Sequence, residues 1–106
     1  RNPEKGKALT ELPNTVVMPL DVTNTKQIQE PCRKTLEQYD VDVLFNNAGY
    51  GIMAPLEAFS EADIRRLFDT DVIGTMIVTQ QFIPHFKKRR SGTILTTTSL
   101  AGVIGF

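Results

Sequence analysis

The sequence predicts an α/β fold built on a parallel sheet covered on both faces by helices. Three apolar runs rich in β-branched residues, at residues 16–20, 41–45 and 93–98, alternate with longer segments whose apolar residues recur at helical spacing. Each run ends in small or polar residues: Asp21-Val22-Thr23, Asn46-Asn47-Ala48-Gly49 and Thr98-Ser99-Leu100-Ala101-Gly102. Strands joined through helical crossovers run parallel and are shielded by those helices. In such sheets ligands meet the carboxyl ends of the strands, which is where these polar residues fall.

Residues 1–12 are polar, with Pro3 early, and suit a turn followed by a short exposed helix. Pro13-Asn14-Thr15 breaks that helix, and Val16-Val17-Met18-Pro19-Leu20 reads as a strand with Pro19 near its end. Thr23 is the expected N-cap of a helix reaching about Tyr39, with Ile28, Cys32 and Leu36 as a core-facing stripe. Pro31 lacks a backbone donor, so a kink near Gln27 or a weak first half is expected.

The run Val41-Asp42-Val43-Leu44-Phe45 is the second strand, and residues 50–59, with Gly51, Ala54 and Pro55, form a loop. Ser60-Glu61-Ala62-Asp63 nearly matches a capping box and opens a long helix carrying Ile64, Leu67, Phe68, Val72 and Met76. It should run to Lys88, bent by Pro84 and stopped by Ser91-Gly92. Lys87-Lys88-Arg89-Arg90 then reads as a solvated helix end, and His85 as a surface or packing residue. Residues 93–98 are the third strand.

At 106 residues, the chain has the length of one modest domain, and twelve basic side chains balance twelve acidic ones. That balance argues against nucleic acid or an anionic membrane as the main partner. The lone cysteine, Cys32, forms no internal disulfide and reads as a packing residue, compatible with a reducing, cytoplasmic compartment. No apolar stretch is long enough to span a bilayer. The opening on Arg1 rather than Met leaves room for a missing N-terminus.

In this order and spacing, the three strand ends resemble the classical short-chain dehydrogenase/reductase family, with Asn46-Asn47-Ala48-Gly49 the most specific of them. The resemblance covers essentially the whole chain. It implies a Rossmann-like doubly wound sheet that binds a nicotinamide cofactor and transfers a hydride to or from an alcohol or carbonyl carbon. In the strand order 3-2-1-4-5-6, the strands present would be 3, 4 and 5, with strands 1, 2 and 6 onward missing. Residues 1–106 would then be a single partial dinucleotide-binding and catalytic domain, exposing apolar sheet edge and unstable alone.

The resemblance also implies roles for individual residues. Asp21 and the backbone of Val22 would flank the adenine, and Asn47, Ala48 and Gly49 would pass the adenosine ribose. The alternative for Asn46 and Asn47 is a turn held by side-chain to backbone bonds. Arg1 falls where NADP-preferring members place a basic residue to grip the 2′-phosphate, which favours NADP over NAD; the alternative is an exposed terminal arginine. Ser99 aligns with the catalytic serine that positions the reacting oxygen. The tyrosine acid/base, about thirteen residues further on, and the lysine that lowers its pKa would lie beyond Phe106.

Asp71 stands where the family usually has an asparagine that holds a bend in the long helix and supports a proton relay. An ionised aspartate only accepts, so it should stay partly protonated, find a cation, or weaken the relay. The expected function is an NAD(P)-dependent oxidoreductase acting on a small alcohol or carbonyl compound, homo-oligomeric as a whole protein. The alternatives are a non-catalytic dinucleotide-binding or redox-sensing protein of the same fold and a subunit-interface module.

Overall fold

β-Rich sequence becomes strand where it finds a neighbour. In the computed structural model, which describes residues 6–104, β1 (Val43–Asn46) and β2 (Thr93–Thr96) pair in parallel, with Val43 opposite Thr93 and Asn46 opposite Thr96. Backbone bonds from Thr93 to Asp42 and from Thr97 to Asn46, each 2.9 Å, extend the ladder at both ends. The predicted strand at residues 16–20 pairs with nothing among the described residues and is not a strand. Extended backbone makes a ladder only against a partner, and this segment contributes Leu20 to the core instead.

Helix α1 (Lys7–Thr10) is the short exposed helix expected from the polar opening. Helix α2 (Thr25–Gln38) is capped by Asn24, not Thr23. The Thr23 amide and hydroxyl both donate to the Asp21 carboxylate, at 3.0 and 2.7 Å, so that side chain is already committed. Asn24 accepts from the Lys26 and Gln27 amides, the normal work of an N-cap. Pro31 does not interrupt the helix; its carbonyl takes the Thr35 hydroxyl at 2.8 Å. Ile28 and Cys32 are buried, with Leu36 packed beside them.

The long helix is three pieces in line: α3 (Glu61–Phe68), a π-helical turn (Asp69–Gly74) and α4 (Thr75–Arg89). A complete Ser60/Asp63 capping box starts it. Its buried face is Thr70, Gly74, Val78 and Phe82, one residue every four. Phe68, Val72 and Met76, the stripe conspicuous in the sequence, lie exposed. The π turn uses an i→i+5 repeat, which moves the phase of the helix. Past α4, a Cβ on Gly92 would come within 2.3 Å of the Phe86 ring, which explains glycine there.

Val78 and Phe82 of α4 close on Ile28 and Cys32 of α2, and Leu44 of β1 turns into the same core. Alternation along the strand sends Val43 and Phe45 to the other face, where they are exposed. Among the described residues, helices therefore cover one face of the sheet rather than both.

The basic run at the end of α4 is only partly solvated. The Arg89 side chain is 24% exposed and bonds the Asp42 carboxylate at 2.6 Å, the Asp40 carboxylate at 3.0 Å and the Val41 carbonyl. His85 meets the same carbonyl at 3.1 Å. These bonds hold the amino end of β1 against α4.

Candidate functional site

The carboxyl ends of β1 and β2 lie side by side because the strands are parallel and in register. The loop after β1, the loop after β2 and the π turn enclose a cleft of about 640 Å³. Ligand sites commonly fall in this size range. Asn47, Ala48, Gly49, Asp71 and Ser99 all line it, although they are scattered over more than fifty positions of sequence.

Both asparagines bond across elements. The nearly buried Asn46 side-chain amide donates to the Thr79 hydroxyl of α4 at 2.9 Å, and the Thr97 hydroxyl donates to the Asn47 side-chain oxygen Oδ1 at 2.7 Å. A purely local turn would not reach these partners. The first bond ties the strand end to the helix, and the second ties the two loops together.

Asp71 faces Gly49. A carboxylate oxygen accepts the Tyr50 backbone amide at 3.1 Å, and a Cβ on Gly49 would stand 3.3 Å from that oxygen. Glycine therefore lets the π turn approach the loop, and a backbone donor meets an acceptor-only side chain. That bond uses the side chain as an acceptor. Thr75 closes the turn from the other side by donating its hydroxyl to the Asp71 carbonyl at 3.0 Å.

Ser99 is exposed at the end of the second loop, where its Oγ accepts from the Ala101 amide at 3.1 Å and caps a short 3₁₀ turn (Leu100–Gly102). An oxygen that accepts from the backbone keeps its own O–H for donation. Asp21 lies in the turn before α2. Val22 lines a smaller cavity of about 150 Å³ whose other wall includes Asn47 and Ala48. Asn47 and Ala48 thus stand between the two cavities. Arg1 lies outside the described residues.

Gly74, Thr75, Thr79 and Thr97 were not singled out from the sequence, yet they build the site. A Cβ on Gly74 would meet the Val22 carbonyl oxygen at 2.6 Å and the Val22 Cβ at 2.8 Å, so this glycine seats the turn before α2 against the long helix. A glycine inside a helical pattern was the available signal. Cys32 is not part of the site; burial pushes its thiol pKa up and away from reactivity. Among the described residues there is no cluster of metal-ligating side chains, and no helix is long and apolar enough to cross a membrane.

The family model described as short chain dehydrogenase matches residues 1–106. An uncharacterized oxidoreductase of Schizosaccharomyces pombe is 36% identical over 107 residues, covering 100% of this chain and 45% of that protein. The human 17-beta-hydroxysteroid dehydrogenase type 1 is 37% identical over 103 residues, covering 96% of this chain and 31% of that protein. The solved structure of ElxO with NADP bound superposes with a TM-score of 0.85 at 28% identity, over 97% of this chain and 44% of that one. The chain thus spans less than half the length of each of these proteins. Its α/β architecture is Rossmann-like.

Proposed function

The chain belongs to the short-chain dehydrogenase family, and from that premise we propose that the whole protein is an NAD(P)-dependent oxidoreductase acting on an alcohol or carbonyl group. One observation carries the reading: the cleft at the carboxyl ends of β1 and β2 gathers Asn47, Gly49, Asp71 and Ser99 around a single space. The bound nicotinamide would supply the hydride for the carbonyl carbon and be left oxidised, while a proton goes to the oxygen; alcohol oxidation is the reverse.

The remaining roles belong to the chain. Small residues at Ala48 and Gly49 let a flat ligand approach the backbone, and the cavities on either side of Asn47 and Ala48 suit an elongated one. Asp21 and Val22 would take the adenine end, and Asn47 to Gly49 the ribose. Ser99 donates its O–H to the reacting oxygen and orients it. Asp71 holds the Tyr50 amide and so fixes the wall facing Ser99. NADP is favoured over NAD by the likeness to ElxO with NADP bound and by the basic residue at position 1. In this reading, residues 1–106 are part of one dinucleotide-binding and catalytic domain.

The exposed stripe Phe68, Val72 and Met76 on the long helix supports self-association of the whole protein. Sedimentation of the complete protein should show a species larger than the monomer. The test of the main reading is fluorescence titration of the complete protein with NADPH and NADH. Saturable binding, tighter for NADPH, is expected; binding of neither would refute the proposal.

A further inference from the structure

Thr97 grips the loop after β1 twice. Its amide donates to the Asn46 carbonyl at 2.9 Å, and its hydroxyl donates to Asn47 Oδ1 at 2.7 Å. Thr96 and Thr98 also line the cleft, but among the described residues their hydroxyls make no such bond.

Thr97 stands two residues before Ser99. The Ala101 amide donates to Ser99 Oγ and the Gly102 amide to the Ser99 carbonyl, each at 3.1 Å, so these two amides report whether the turn at Ser99 is closed. On the other side, Asn47 borders both cavities, and its loop is anchored to the π turn where Asp71 accepts the Tyr50 amide. A ligand on either side of Asn47 therefore meets a side chain bonded to the strand that leads into Ser99. Ordering one of two bonded groups lowers the entropic cost of ordering the other, and the coupling acts equally in both directions.

We infer that Thr97 is a positioning residue whose hydroxyl couples the wall at Asn47 to the turn that presents Ser99, so that occupying the first orders the second. The inference rests on the oxidoreductase reading above, in which Asn47 to Gly49 take the adenosine ribose. It adds a route by which the adenosine half of the cofactor prepares the reacting end of the cleft.

The test uses the complete protein and adenosine 2′,5′-bisphosphate, which carries the adenosine ribose and 2′-phosphate of NADPH but not the nicotinamide. In the parent, saturating probe should raise the protection factors of the Ala101 and Gly102 amides by about threefold to tenfold. Thr97→Val keeps the shape and the backbone bond but removes the hydroxyl. That rise should disappear and, by reciprocity, the probe should bind about threefold to tenfold more weakly. Thr97→Ser restores the hydroxyl and should restore both. A merely structural hydroxyl would change protection without the probe and leave the rise intact. An undiminished rise in Thr97→Val overturns the coupling, and so does a parent that binds NADPH yet shows no rise with the probe; in both cases the oxidoreductase reading stands. If Thr97→Val does not fold, Thr97→Ala is measured in the same way, and loss of the fold in both marks Thr97 as structural and overturns the inference. A parent that binds neither NADPH nor NADH brings down the underlying reading, and the coupling with it.

Discussion

The two ends of the same pair of strands are held in opposite ways. At the amino end, charge dominates: Arg89 reaches Asp40, Asp42 and the Val41 carbonyl, and His85 shares that carbonyl. At the carboxyl end the ties across the strand ends are uncharged, Asn46 to Thr79 and Thr97 to Asn47, and small residues leave a cleft between the loops. A sheet that must be rigid and also receive a ligand can place its strong ties at one end and its open space at the other. The amino end registers β1 against α4, and the carboxyl end spends its polar atoms on shaping a cavity.

If that division is right, removing a hydroxyl from the open end should damage chemistry without damaging the fold. Ser99→Ala in the complete protein should lower turnover by about a hundredfold or more, while the lost cap on the exposed turn at Ala101 lowers the melting temperature only slightly. A turnover within a few-fold of the parent would remove Ser99 from the reacting centre. Gly74→Ala tests the packing beneath the same end. The extra methyl favours helix by about 1 kcal/mol, but it lands 2.6 Å from a backbone oxygen, and overpacking of this kind costs about 1–3 kcal/mol. The clash should win, leaving a net loss of up to about 2 kcal/mol in denaturant unfolding.

Asp71 sharpens the comparison by separating charge from hydrogen bonding. Asp71→Asn keeps an oxygen for the Tyr50 amide and should leave stability within about 0.5 kcal/mol, whereas Asp71→Ala strands that donor and should cost about 1 kcal/mol. Equal losses would show that the carboxylate charge is what matters.

At the other end, Arg89→Met keeps most of the stem but removes the guanidinium. It should lower the melting temperature by less than Gly74→Ala, because Asp40 and Asp42 are exposed, and the effect should shrink as salt rises. The smallest effect is expected at the capping box. The Ser60 hydroxyl, and after it the Arg66 guanidinium, holds the Asp63 carboxyl below its ordinary range. A lowered folded-state pKa contributes stability above the unfolded value, near pH 4, and loses it as pH falls through the folded one. The protection factors of the amides in the first turn of α3, after correction for the intrinsic exchange rate, should therefore fall only on acidification below about pH 4.

Local chemistry was legible where neighbours in sequence are neighbours in space. The Ser60/Asp63 box, the Ile28, Cys32 and Leu36 stripe and the paired runs in β1 and β2 all follow from spacing alone. Thr23 was misread because two adjacent residues can both cap, and only the Asp21 turn decides between them. Residues 16–20 have strand composition, but strand status depends on a partner that composition does not report. Thr97 and Thr79 carry no distinguishing pattern; their bonds to Asn47 and Asn46 span fifty and thirty-three positions of sequence.

By itself, the sequence determined the alternation of strand and helix, the polar strand ends and the motif that points to the family, because each depends on residues within one or two turns of each other. Tertiary structure decided which face of the long helix is buried, that Gly74 seats Val22, and that Gly49, Asp71 and Ser99 share one cleft. Those outcomes depend on helical phase through the π turn and on the register of parallel strands, and a shift of one residue in either would move every side chain involved to another face.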